Sequence, residues 1–179
     1  MSIVVSKKAF DSDEPFDLVA SNISFVNALR EDGVPMETIS DDALLSYWVD
    51  YYHGQIGNGA FPQFVHNIRW NRHALDWVRR GLEAMSASGV LRAFQEGCSI
   101  VEGLGPEGLR TFLESPFPGS APEREKLRGC METHYAAVDG GEDLVALNAA
   151  WIRSRPDLQV LEMDAMYEEL RRQGAAARG

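Results

Sequence analysis

This sequence predicts an all-α fold, a single compact domain of seven to nine helices, and three observations predict it. Apolar residues recur at three- and four-residue spacing through almost the whole chain. No segment sustains the period-two alternation of a half-buried strand. Glycine, proline and helix-capping side chains punctuate the apolar stripes at plausible intervals. With 179 residues and 45% hydrophobic content, the chain is long and apolar enough to bury a sizeable core.

Ile3-Val4-Val5 has the composition of a short strand, but the sequence offers no partner for it, so residues 1–12 read as an N-terminal extension. Phe16, Val19, Ile23 and Val26 define a helix over residues 14–31, with Asp13 as N-cap and Gly33-Val34-Pro35 as its end. Ser40 caps the next helix, and Asp41 and Asp42 occupy its first turn, where the helix dipole favours negative charge. Its stripe of Leu45, Trp48, Val49, Tyr52 and Ile56 runs to a stop at Gly57-Asn58-Gly59. A short helix with Pro62 in its first turn follows. Leu75, Val78, Leu82 and Met85 mark another, ending near Gly89. Leu91, Phe94, Cys98 and Val101 mark one that ends at Gly103-Leu104-Gly105, and Pro106 opens a short helix to residue 114. The run SPFPGSAPE, Ser115 to Glu123, is a loop by its three prolines and its glycine. Leu127, Cys130, Met131, His134, Tyr135 and Val138 form one stripe, closed by Asp139-Gly140-Gly141. Leu144, Leu147, Asn148 and Trp151 carry a helix to about Arg153, and after Pro156 the last helix is marked by Met163, Met166, Tyr167 and Leu170. The helical domain is expected over 13–173, and the tail GAAARG, 174–179, is expected to fray.

Several function classes drop out early. The apolar runs are only a few residues long, too short for a transmembrane helix. The N-terminus lacks the pattern of a signal peptide, because its lysines follow the apolar run Ile3 to Val5 instead of preceding it, so the cytoplasm is the expected location. The net charge is −10, from 27 acids and 17 bases. Residues 1–52 carry −7, residues 53–92 carry +3, residues 93–143 carry −6, and the remainder is balanced. Such a surface repels nucleic acid and anionic membrane and attracts a basic partner, although simple solubility explains the same charge.

One segment stands apart from the helical pattern. Tyr51 to Asn67, YYHGQIGNGAFPQFVHN, runs from a tyrosine-rich stripe through a helix stop into Phe61, Gln63, Phe64 and Asn67. Amides interleaved with aromatics past a helix stop suggest a built corner. The residues Asn58, Gly59, Ala60 and Phe61, then Gln63, Phe64 and Asn67, resemble the Asn-Gly-Gly-Phe hallmark, with following Gln, aromatic and Asn, of a bacterial family of acidic helical proteins. That family has been described as a domain of unknown function and is named after a DNA-mimic member. Residues 80–101 resemble its paired helices and residues 134–161 its C-terminal section, so the likeness covers roughly 40–165. The departure is Ala60 in place of the second glycine. Positive φ there would cost alanine about 1 kcal/mol, and Gly59 is expected to carry the strained conformation instead. The resemblance implies an all-helical protein and admits a homodimer. In the named member an acidic surface imitates DNA phosphates and occupies a transcription factor's DNA-binding face; immunity proteins against toxins are a second role for such domains.

Mimicry needs carboxylates spaced like successive phosphates, and acids one helical turn apart, with Cβ atoms about 5–6 Å apart, are a candidate arrangement. Asp164 and Glu168 have that spacing, Glu107 and Glu114 lie two turns apart, Asp139, Glu142 and Asp143 cluster at a junction, and Asp11, Asp13, Glu14 and Asp17 form an N-terminal group. Each group also reads as a solvated helix face. Arg69, Arg72, Arg79 and Arg80 interrupt a uniformly DNA-like surface.

Enzyme readings rank lower. The histidines are His53, His66, His73 and His134, and none forms the one-turn pair with an intervening glutamate of a zincin site. Cys130 and His134 are one turn apart, the spacing of a thiolate–imidazolium pair, but they share an apolar stripe and no nucleophile motif surrounds them. Cys98 and Cys130 read as small buried hydrophobes, with a disulfide or redox pair as the alternative. Gly57-Asn58-Gly59 is not a phosphate loop, since no Gly-Lys-Ser/Thr follows. The expected function is therefore that of a non-enzymatic acidic interaction protein, without cofactor or metal, that sequesters a basic transcription regulator or toxin and contacts neither nucleic acid nor membrane directly. The competing readings are a small-ligand pocket lined by Tyr51, Tyr52, Asn58, Gln63, His66 and Asn67, and a structural scaffold.

Overall fold

A computed structural model describes residues 2–116, 124–128 and 130–178. Most of the expected loop, 117–123, lies outside them. In chain order the elements are β1 (Val4–Ser6), α1 (Lys7–Phe10), α2 (Pro15–Glu31), a 3-10 turn (Met36–Thr38), α3 (Asp41–Ile68), α4 (Arg72–Ala84), α5 (Ser88–Gly103), α6 (Gly105–Glu114), α7 (Arg124–Leu127), α8 (Met131–Asp139), α9 (Leu144–Arg153), β2 (Gln159–Leu161) and α10 (Met163–Arg178). The all-α class holds, with one two-stranded sheet. Internal contacts divide the chain into two compact units, Met1–Asp50 with Leu144–Gly179, and Tyr51–Asp143.

In the first unit the Ile3-Val4-Val5 segment does find a partner. β1 pairs in parallel with β2, Val4 opposite Gln159, Val5 opposite Val160 and Ser6 opposite Leu161. Ile3, Val4 and Val5 are fully buried, so the segment expected as an extension is part of the core. The three residues of β2 are too few to show a strand period, which is why the pairing was silent in the sequence. α2 packs against α9, and Leu18, Val19, Val26 and Leu29 meet this core together with Leu44 of α3 and Ile152 of α9. Two buried amides fix the first turns of α3. Asn22 donates from Nδ2 to the Ala43 carbonyl at 3.0 Å, and Asn148 donates to the Ser46 carbonyl at 3.0 Å. The Oδ1 atoms of both and the Ser46 hydroxyl are buried without a hydrogen-bond partner.

The start of α2 differs from expectation. Pro15 opens the helix, Glu14 holds the cap position without a side-chain bond, and Asp13 caps nothing. Ser12 accepts from the Glu14 amide at 3.1 Å and donates to Asp17 at 2.6 Å. At the other end, α10 continues through the tail expected to fray, as far as Arg178. Ala175 to Ala177 are strong helix formers, and Gln173 is buried and donates to Glu169 at 2.6 Å. Phe16, Met163 and Tyr167, placed on buried stripes by their spacing, are exposed.

The second unit is organised around α5, which packs on α8 and α4. α4 ends at Ala84, Ser86 turns the chain with φ 58, and Gly89 belongs to the first turn of α5 instead of ending α4. The stripe 127–138 divides into α7 and α8, with Cys130 ahead of α8. Met131 and His134 form the buried face of α8, which leaves Tyr135 and Val138 exposed. Among the described residues no helix is long and apolar enough to cross a membrane.

Candidate functional site

The corner between Tyr51 and Asn67 is built by a break inside α3. The helix does not stop at Gly57-Asn58-Gly59; both Gly57 and Asn58 remain helical, and the break falls at Gly59 (φ −163) and Ala60 (φ 60, ψ −166). Gly59 is extended, a conformation open to any residue. Ala60 therefore carries the strain that was expected at Gly59. Its φ/ψ lies in a region that is essentially glycine territory and costs another residue on the order of 1–3 kcal/mol. Gly59 is needed for space, because a Cβ there would lie 2.7 Å from Cβ of Gln63.

The break sends the aromatic residues inward. Phe61 and Phe64 are fully buried, and Tyr52 packs edge-on against Phe64 at 5.0 Å and Phe94 at 5.5 Å between ring centroids. Phe61 lies on Gly97 of α5 so closely that a Cβ at Gly97 would meet its ring at 2.5 Å. Burial drives the Tyr52 hydroxyl well above its usual pKa, so it stays a neutral phenol. The polar residues of the hallmark are not gathered in the same way. Asn58 is exposed, Gln63 lies beneath Gly59, and Asn67 donates to Gln55 at 2.6 Å on the surface. His66 Nε2 lies 3.2 Å from the Ser115 carbonyl oxygen, to which it can donate, and Arg69 donates to the Leu113 carbonyl. Tyr51 is half-buried. The corner packs Tyr52, Phe61 and Phe64 against one another and Phe94, while of its three amides Asn67 bonds to Gln55.

Cys98, Cys130 and His134 all sit in environments that disfavour charge. Burial pushes the Cys98 thiol up to about 12, with Glu102 adding to the effect, and burial raises Cys130 to about 11. His134 is buried, its Nδ1 lacks a hydrogen-bond partner, and burial together with His53 lowers its pKa. A neutral thiol beside a neutral imidazole has no driving force toward an ion pair at neutral pH. Among the described residues, no three His, Cys, Asp or Glu side chains gather as a metal would require.

The acids separate by environment. Asp11, Asp13, Glu14 and Asp17 are all exposed around the start of α2, and Asp164 and Glu168 are exposed one turn apart at the start of α10. Asp11 is paired with Lys7 at 2.6 Å; Asp13, Glu14, Asp164 and Glu168 form no salt bridge among the described residues. In the second unit Glu107 and Glu114 flank Arg110, which reaches them at 2.5 and 3.5 Å. Glu142, grouped by sequence with Asp139 and Asp143, has a different task. Its carboxylate accepts from the Gly89 and Val90 amides at 2.7 and 2.8 Å and from the Ser88 hydroxyl at 3.2 Å, capping α5. Partial burial opposes its ionisation, but those hydrogen bonds outweigh burial and hold the carboxyl below the usual range. It is a helix cap, not a free surface charge. Asp139 and Asp143 remain exposed. Sequence periodicity missed the exposed Phe16, Met163 and Tyr167 because a helical stripe does not reveal that nothing covers it.

No curated protein and no solved structure shows significant similarity to the chain. A family model described as DMP19-like protein matches residues 37–155, the segment that spans the broken α3, the aromatic corner and the helices through α9, and the chain belongs to the DMP19-like protein family.

Proposed function

We propose that this chain is a non-enzymatic DNA mimic whose acidic first unit binds a basic DNA-binding protein. The carrying observation is the unequal placement of charge. The first unit holds 15 acids and 8 bases, against 12 and 9 in the second. In the first unit Asp13, Glu14 and Asp17 are exposed at the start of α2 and Asp164 and Glu168 in the N-terminal half of α10, and none of the five forms a salt bridge among the described residues. Family membership supports the mimic reading, although these five acids lie outside the matched residues 37–155, and the raised pKa values of Cys98 and Cys130 support a non-enzymatic role.

Charged surfaces of this kind bind through long-range Coulomb attraction, which salt screens over about 10 Å at 0.1 M. The test is capture from a native lysate at low salt. A basic DNA-binding protein is expected on the chain, released by about 0.5 M salt and displaced by duplex DNA. A variant with Asp13→Asn, Glu14→Gln, Asp164→Asn and Glu168→Gln should lose that protein, while Glu107→Gln with Glu114→Gln should keep it. Salt-insensitive capture, or equal loss in both variants, would sink the assignment to the first unit.

A further inference from the structure

A groove of about 350 Å3 lies in the first unit between α1, α2 and α10, walled by Ala9, Ala20, Met163 and Met166, with Asp17 and Lys8 at its edge. Phe16 lies one turn before Ala20 on α2 and is 54% exposed; Met163 and Tyr167, one turn apart on α10, are 51% and 55% exposed. These are three of the five large hydrophobic side chains that are exposed among the described residues; Met163 lines the groove itself, and Phe16 and Tyr167 lie outside it on the two helices that wall it. Methionine adapts its shape to what it covers, and the small Ala9 and Ala20 leave room for an incoming side chain. Both helices also bring carboxylates: Asp13, Glu14 and Asp17 at the start of α2, and Asp164 and Glu168 beside the exposed α10 residues.

We propose that this groove docks a basic amphipathic helix of the partner protein, apolar side chains seated on Phe16, Met163 and Tyr167 and lysines or arginines meeting the five carboxylates. The inference rests on the acidic-partner reading and specifies the shape of the partner. Charge complementarity selects this occupant. An anionic membrane or a nucleic acid would take the apolar or the extended form of contact but would be repelled by these acids. A basic helix satisfies both features of the groove, in the helix-in-groove mode read through i, i+3, i+4 and i+7 anchors.

The test uses a fluorescent peptide of about 18 residues, leucines at i, i+3, i+4 and i+7 and lysines elsewhere, and an isomeric peptide permuted to have no apolar face. Anisotropy at low salt should show the amphipathic peptide bound at least about tenfold more tightly than its permuted isomer. Met163→Gln with Tyr167→Ser should abolish that difference, and so should Phe16→Ser alone on the other helix; Glu107→Gln with Glu114→Gln should leave it intact. All three side chains are exposed, and unchanged melting of each variant confirms that the fold is kept. Equal binding of the two peptides, or a difference that survives both groove variants, overturns the docking site. If that happens while the lysate partner is still lost on neutralising Asp13, Glu14, Asp164 and Glu168, the groove falls and the mimic reading stands. If neutralising those acids changes nothing either, the mimic reading fails with it. Self-association through this face would show instead as a concentration-dependent mass that the groove variants abolish, and it too would overturn the partner-helix reading.

Discussion

The two units solve the same packing problem with different materials. The second unit closes its core with rings: Tyr52, Phe61, Phe64 and Phe94 meet edge-on, and Gly97 removes a side chain so that Phe61 can fit. The first unit closes its core mainly with aliphatic side chains, beside Phe25 and Trp151, and adds two buried amides, Asn22 and Asn148, which hold α3 by its carbonyls and leave polar atoms unsatisfied. Both units pair some acids locally: the ring-packed unit sets Arg79 against Asp76 and Glu83 and Arg110 against Glu107 and Glu114, and the other sets Lys7 against Asp11 and Arg172 against Glu169. The amide-pinned unit leaves Asp13, Glu14, Asp164 and Glu168 free of salt bridges among the described residues. In the first unit an apolar groove and acids without salt bridges lie on the surface of a polar-pinned core.

The largest expected effect tests the ring core. Phe64→Ala removes a fully buried ring that touches Tyr52, Phe61 and Phe94, and it should cost about 3–5 kcal/mol of unfolding free energy by denaturant titration. A loss below about 1 kcal/mol would mean the cluster is loosely packed and the contrast between the units is false.

A smaller effect tests the amide core. Asn148→Ala deletes the bond to the Ser46 carbonyl and opens a small void, and a loss of about 2 kcal/mol is expected. Asn148→Leu deletes the same bond but refills the volume and removes the unsatisfied Oδ1, so it should lose less than alanine does. The Ser46 carbonyl keeps its place in the α3 ladder either way. If leucine is as damaging as alanine, the amide bond to α3 outweighs both volume and the orphaned oxygen, and the polar core of the first unit is a specific lock.

Much of the fold was legible because it is local. Ser40 with Asp41 and Asp42 announced the start of α3, and Gly103-Leu104-Gly105 announced the passage from α5 to α6, where Gly105 takes φ 69. The features that escaped are the nonlocal ones. β1 and β2 lie near opposite ends of the chain, and neither is long enough to show a period. Glu142 caps a helix that starts more than fifty residues earlier, so its neighbours Asp139 and Asp143 gave it the look of one more surface acid. The hallmark residues were read as a corner from the sequence, but which of them face inward was decided by α5, through Gly97 and Phe94. The groove was hidden for a further reason: Phe16, Met163 and Tyr167 have the spacing of core residues, and exposure is a property of what is absent opposite them.

The smallest effect is the most discriminating, because it concerns a single methyl group at the joint of α3. Ala60→Gly relieves a conformation that costs alanine about 1–3 kcal/mol in the folded state. It also loosens the unfolded chain, which takes back about 0.4–1 kcal/mol. A net gain near 1 kcal/mol follows, a rise in melting temperature of about 2–4 °C. One position earlier the sign should reverse. Gly59 is extended, so a glycine there gains nothing from its freedom at φ, but Gly59→Ala would press a methyl against Gln63, whose Cβ lies 2.7 Å from the added atom. Gly59→Ala should therefore lower the melting temperature while Ala60→Gly raises it. If the two changes shift stability in the same direction, the break at Gly59–Ala60 is not held by the strain and the close contact described here, and the aromatic core beyond it orients the corner by itself.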